Sequence, residues 1–126
     1  RKEEYGDLIN SNLEKAFRLF WVDRLSCANK LRNCVEAFLN AVGVDSKSNL
    51  HSRILEYQKK SEDGAEFLMS VKWVGNEGSH NSGAISDDDL FHCVDVLEHV
   101  FDEAFLKKAE KLKARSKQIN AKYKKS

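Results

Sequence analysis

The chain has 126 residues, 41% hydrophobic and 33% charged with the two signs nearly balanced; that suits one packed folding unit and excludes two separate cores or a wholly disordered polymer. It has no proline and only six glycines, so the punctuation of an all-β chain is missing and an all-α fold is expected. Three cysteines without a Cys-x-x-Cys pair indicate neither a disulfide framework nor a zinc ribbon, and no apolar run approaches the roughly 18 residues of a bilayer span.

Tyr5, Ile9, Leu13, Ala16, Phe17 and Phe20 recur at intervals of three and four, which places them on one stripe of a first helix. Leu25, Ala28, Leu31, Val35, Phe38, Leu39 and Val42 form a second stripe that ends at Gly43, a left-handed stop. Between them, Val22 to Ser26 is either a break or a bend within one helix. A polar linker around Asp45 to Ser48 leads to a short third helix carrying Leu50, Ile54, Leu55 and Tyr57. Phe67, Leu68, Val71 and Val74 give a fourth apolar face, which runs into the glycine-rich stretch Gly75 to Gly83. Ser86 before Asp87, Asp88 and Asp89 reads as an N-cap with acids in the positive first turn, opening a long fifth helix through Leu90, Val94, Leu97, Phe101, Ala104 and Phe105. Trp21 and Trp73 keep helical spacing with apolar neighbours and are expected in the core, as are Cys27 and Cys34, seven apart on the second stripe.

Residues 107 to 126 hold nine Lys or Arg against the single acid Glu110, a charge of +8 that leaves −7 for residues 1 to 106. The chain therefore divides into a helical bundle domain, 1–106, and a basic helical extension or tail, 107–126. In that extension Phe105, Leu112 and Ile119 repeat at seven, as do Ala109, Ser116 and Tyr123, the pattern of a helix-pairing seam. Lys107, Lys108, Lys111, Lys113, Arg115 and Lys117 could instead meet nucleic-acid phosphates, and a solvated, fraying helix is the third reading.

Two constellations could carry chemistry. Gly75 to Gly83 is longer and more polar than a turn between helices requires. If the fourth helix persists past Gly75, Asn76 and His80 fall four apart on one face. His80 titrates near neutrality and could act as general acid or base, or donate to a phosphate; as a plain loop-fixing group it would do neither. Arg32 and Glu36 are also four apart, beside the apolar line Leu31, Val35 and Leu39. They suit a tertiary role, or a border salt bridge with the arginine stem covering core. His92 and His99 are seven apart and His51 lies elsewhere, so no metal site and no cofactor is expected.

The segments Leu31-Arg32-Asn33-Cys34-Val35-Glu36-Ala37-Phe38-Leu39 and Val71-Lys72-Trp73-Val74-Gly75-Asn76-Glu77-Gly78-Ser79-His80, followed by the acidic start of a long helix, resemble a bacterial domain family of unknown function. That family is often joined to type I restriction subunits or other defence proteins and is similar to the HEPN superfamily. The resemblance covers about residues 10 to 106. It implies a bundle of about five helices in which Arg32 and Glu36 lie near Asn76 and His80, often completed by a second subunit. In active HEPN ribonucleases an arginine directly precedes the asparagine of an Arg-Asn-x-x-x-His motif and stabilises phosphate charge, while the histidine assists attack by the ribose 2′-hydroxyl without metal. Gly75 occupies that arginine position here. One lost donor of this kind costs roughly 3 to 4 kcal/mol of transition-state stabilisation, with Arg32 or Lys72 as substitutes from different places on the scaffold.

The resemblance thus implies a helical accessory domain of a bacterial defence or nucleic-acid-processing protein, acting in recognition or dimerisation without catalysis. The alternatives are a metal-independent endoribonuclease using His80, Asn76, Arg32 and Glu36, and a nucleic-acid-docking module working through the basic tail. A homodimer, RNA or DNA, and further domains of a longer polypeptide are the expected partners, without a membrane. The expected compartment is the reducing cytoplasm.

Overall fold

A computed structural model describes residues 2–80 and 85–124, the side chains of residues 77–80 excepted. The described residues form α1 (Asp7–Leu19), α2 (Arg24–Ala41), α3 (Leu50–Tyr57), α4 (Glu62–His80), α5 (Asp87–Phe101) and α6 (Lys107–Tyr123). A π-helical turn, Asp102–Leu106, joins α5 to α6 without a break, so the last two make one long rod. No strand occurs among the described residues, and the fold is all-α.

The helix ends follow local chemistry. Asp23 accepts from the Ser26 backbone N–H and caps α2, so the chain breaks between α1 and α2 rather than bending through. Gly43, at φ 83°, closes α2 while the Val44 amide donates back to the Leu39 carbonyl. Asn49 caps α3 and Ser86 caps α5, the latter as its sequence predicts. Tyr5 departs from expectation: it lies in a separate 3-10 turn, Glu3–Tyr5, divided from α1 by Gly6 at φ 86°. Its ring is nevertheless buried, and its hydroxyl donates to Asp102.

The central helix is α2, which buries Cys27, Ala28, Leu31, Cys34, Val35, Ala37, Phe38 and Leu39 against α1, α4 and α5. At one end Phe38 stacks within 5.5 Å of Tyr57, Phe101 and Phe105. Cys27 and Cys34 are buried as expected, and burial pushes their thiols up to about 11 and about 12. Arg53 is also buried; it donates to Asn40 Oδ1 at 2.6 Å and to the Asp45 carbonyl at 3.0 Å, fixing the α2–α3 connection.

Both tryptophans correct the sequence reading. Trp21 is 78% exposed and Trp73 54% exposed. Trp21 lies in the turn beyond α1, where helical spacing no longer governs its direction, and meets Phe20 edge-on at 4.6 Å. Trp73 follows Val71 and Lys72, which take the buried face of α4, so the 100° step turns its ring outward. The glycine-rich stretch differs too: Gly75 to His80 are the last residues of α4, while residues 81 to 83 lie outside the described residues.

Candidate functional site

Helices α2 and α4 run antiparallel, since Tyr57, shortly before α4, meets Phe38 late in α2, while Gly75, late in α4, meets Ala28 and Arg32. The helices approach closely at Gly75. A Cβ there would stand 3.4 Å from Arg32 Cβ and Cδ and 3.6 Å from the Ala28 carbonyl oxygen. The arginine stem therefore lies directly across the glycine, and any long side chain at position 75 would compete for the space that stem fills.

The guanidinium continues past Gly75 and donates from Nη1 to Asn76 Oδ1 at 3.0 Å. Its Nε is buried and has no hydrogen-bond partner among the described residues. Lys72, one turn before Asn76, is only 6% exposed. Burial and the neighbouring positive charge of Arg32 both hold its pKa below the usual lysine value. The Lys72 ammonium sits 3.3 Å from the Trp73 ring centroid, and His51 of α3 meets that ring edge-on at 6.1 Å.

Of the residues the sequence singles out, Arg32 and Asn76 meet. Glu36 does not join them: among the described residues its side chain takes part in no ion pair or hydrogen bond, so no salt bridge to Arg32 forms. His80 ends α4 four residues after Asn76, and its side chain lies outside the described residues. Lys72 projects from α4 and Arg32 from α2, near enough for the charge of Arg32 to lower the Lys72 pKa. The signal for it was present, because Lys72, Asn76 and His80 are successive fourth residues on one helix.

Chemically the cluster is rich in donors and poor in acceptors. Two cations are held side by side, one nearly buried, with no carboxylate paired to either among the described residues. A buried charge without a counter-charge costs several kcal/mol, and an unmade buried hydrogen bond about 1 to 3 kcal/mol. An anion that reached the cluster would relieve both.

The second set of candidates lies elsewhere. Lys107, Lys108, Lys111, Lys113, Arg115 and Lys117 are all exposed on α6, which buries no residue. Lys107 pairs with Glu103 at 2.6 Å, and Arg115 donates to Gln118. Among the described residues no three His, Cys, Asp or Glu gather as a metal set, and no helix is long and apolar enough to cross a membrane.

Compared with known proteins, residues 14–122 match the model of the family described as "Domain of unknown function (DUF4145)". No curated protein and no solved structure matches the chain.

Proposed function

The chain belongs to the family of domains of unknown function DUF4145, and from that premise we propose that it is a non-catalytic recognition domain of a bacterial defence or nucleic-acid-processing protein. It works as a homodimer in a reducing compartment, and its ligand is a phosphate-bearing strand held by Arg32, Lys72 and Asn76. One observation carries this reading: the buried Lys72 beside Arg32, whose Nε is unused, with no carboxylate paired to either cation among the described residues. A phosphate oxygen supplies the charge and the acceptor that the cluster lacks. RNA is the preferred strand because of the HEPN-like segments Leu31–Leu39 and Val71–His80.

The absence of catalysis is argued from Gly75. The stem of Arg32 crosses the place from which the ribonuclease arginine of an Arg-Asn-x-x-x-His motif would project, so this chain uses that space for packing. Arg32 itself is tied to Asn76. The rival, a metal-independent endoribonuclease, draws on Asn76 and His80 standing four apart on one helix.

Incubating the purified chain with mixed RNA in EDTA, beside a His80→Ala control, separates them. The proposal expects intact RNA in both samples. Cleavage by the wild type that His80→Ala abolishes would establish the ribonuclease and overturn the non-catalytic reading.

A further inference from the structure

Charge distinguishes two kinds of phosphate on a strand. An internal phosphodiester carries one negative charge and two free oxygens, whereas a terminal phosphomonoester carries about 1.5 to 2 charges at neutral pH and three free oxygens. The cluster between α2 and α4 holds two cations, Arg32 and Lys72, and among the described residues no carboxylate pairs with either. One diester would leave half of that charge uncompensated beside a lysine only 6% exposed; one monoester compensates both cations.

The hydrogen-bond donors favour the same ligand. Lys72 makes no hydrogen bond among the described residues, and its contact is the face of Trp73, 3.3 Å from ammonium to ring centroid. An aromatic face steadies an ammonium without cancelling its charge. Arg32 Nε is buried and unused. The Asn76 oxygen accepts from Arg32 Nη1 at 3.0 Å, which leaves the amide NH2 of Asn76 to donate. Three side chains thus offer donors to the three oxygens of a monoester. Access favours a chain end as well. The stem of Arg32 lies across α4 at Gly75 and fills the groove between the two helices there, so a strand cannot thread along it, whereas an end needs only to approach.

We propose that Arg32, Lys72 and Asn76 bind the terminal phosphomonoester of an RNA strand in preference to an internal phosphodiester. This deepens the recognition reading above and rests on it: the same residues hold the phosphate, and the strand is held by its end. A 5′-phosphate and a 3′-phosphate share this chemistry. The exposed cations of α6 cannot make the distinction, because they attract every phosphate of a strand in the same way.

The test uses the full chain and one short RNA sequence, labelled at an internal base and prepared with a 5′-phosphate, with a 3′-phosphate, or with hydroxyls at both ends. Fluorescence anisotropy at matched salt should show at least one phosphorylated form binding the wild type about tenfold more tightly than the hydroxyl-ended form, the scale of one added hydrogen bond to a charged group. The end that is preferred identifies the source of the phosphate. Lys72→Gln keeps every cation of α6 and should bind the three RNAs alike. A second measurement needs no variant: methyl phosphate should displace the phosphorylated RNA from the wild type at concentrations where dimethyl phosphate, at equal ionic strength, does not. A preference that survives in Lys72→Gln, or methyl phosphate displacing no better than dimethyl phosphate, would overturn end recognition at this cluster. Equal wild-type affinity for the three RNAs would overturn it too; the phosphate-binding reading then stands if Lys72→Gln weakens all three and falls if it weakens none. No binding of any of the RNAs would overturn both.

Discussion

At Gly75 the requirement is space. Gly75→Ala brings a methyl to 3.4 Å from the Arg32 stem, an ordinary contact, and removes the helix penalty of glycine. It should leave urea stability unchanged or raise it by up to about 1 kcal/mol. Gly75→Arg overfills the same gap and should destabilise by about 1 to 3 kcal/mol in the same measurement. Lys72 supplies a pH dependence. Its folded pKa is lowered from 10.5 by burial and by Arg32, so at pH values between the two pKa values the unfolded chain binds more protons than the folded one. Stability attributable to Lys72 should therefore rise as pH climbs through the folded value towards 10.5 and be missing below it. Lys72→Met should abolish that rise in alkaline urea titrations and should stabilise the chain at neutral pH. The burial of Cys27 and Cys34 was legible in their heptad spacing, whereas the exposure of Trp21 and Trp73 was not. Periodicity identifies a stripe but cannot say which residue at its edge falls outside the contact.

The helices themselves were largely legible, because their ends are written in local chemistry. Ser86 with three following aspartates opens α5, and Gly43 closes α2. Replacing Ser86 by alanine removes the acceptor for the Asp89 amide and should cost about 1 kcal/mol, readable as a lower urea midpoint with an unchanged slope. The C-terminal part of α4 was harder to read. Gly75 and Gly78 argue locally against helix, and a chain segment of that composition reads equally as a loop. What favours helix at Gly75 is tertiary: the glycine lets α4 lie against Arg32 and Ala28, and that packing outweighs a propensity cost of about 1 kcal/mol per glycine. The same contact aligns Lys72, Asn76 and His80 along one face, so the site exists only because the helix continues.

Across the whole molecule, the opposed charges of bundle and extension were visible from composition alone, but the exposed face of α5 was not. It required knowing that Asp88, Phe91, Asp95 and Glu98 point away from α2 and α4. Likewise, the spacing of Arg32 with Glu36 suggested a pair, yet the partner of Arg32 is Asn76, forty-four residues on, and no local rule couples those two. Cations stand in three settings: dispersed along α6, at Arg53 where every contact is already to Asn40 and backbone carbonyls, and at the pair of Lys72 and Arg32 between α2 and α4. Of these, the proposal places the phosphate at the pair, where Lys72 is buried and Arg32 Nε is unused. Fluorescence anisotropy of a labelled single-stranded RNA, titrated with wild-type chain and with Lys72→Gln at matched salt, addresses that pair directly. Saturable binding that Lys72→Gln weakens about tenfold is the predicted result; equal affinity for the two proteins, or no binding by either, would contradict it.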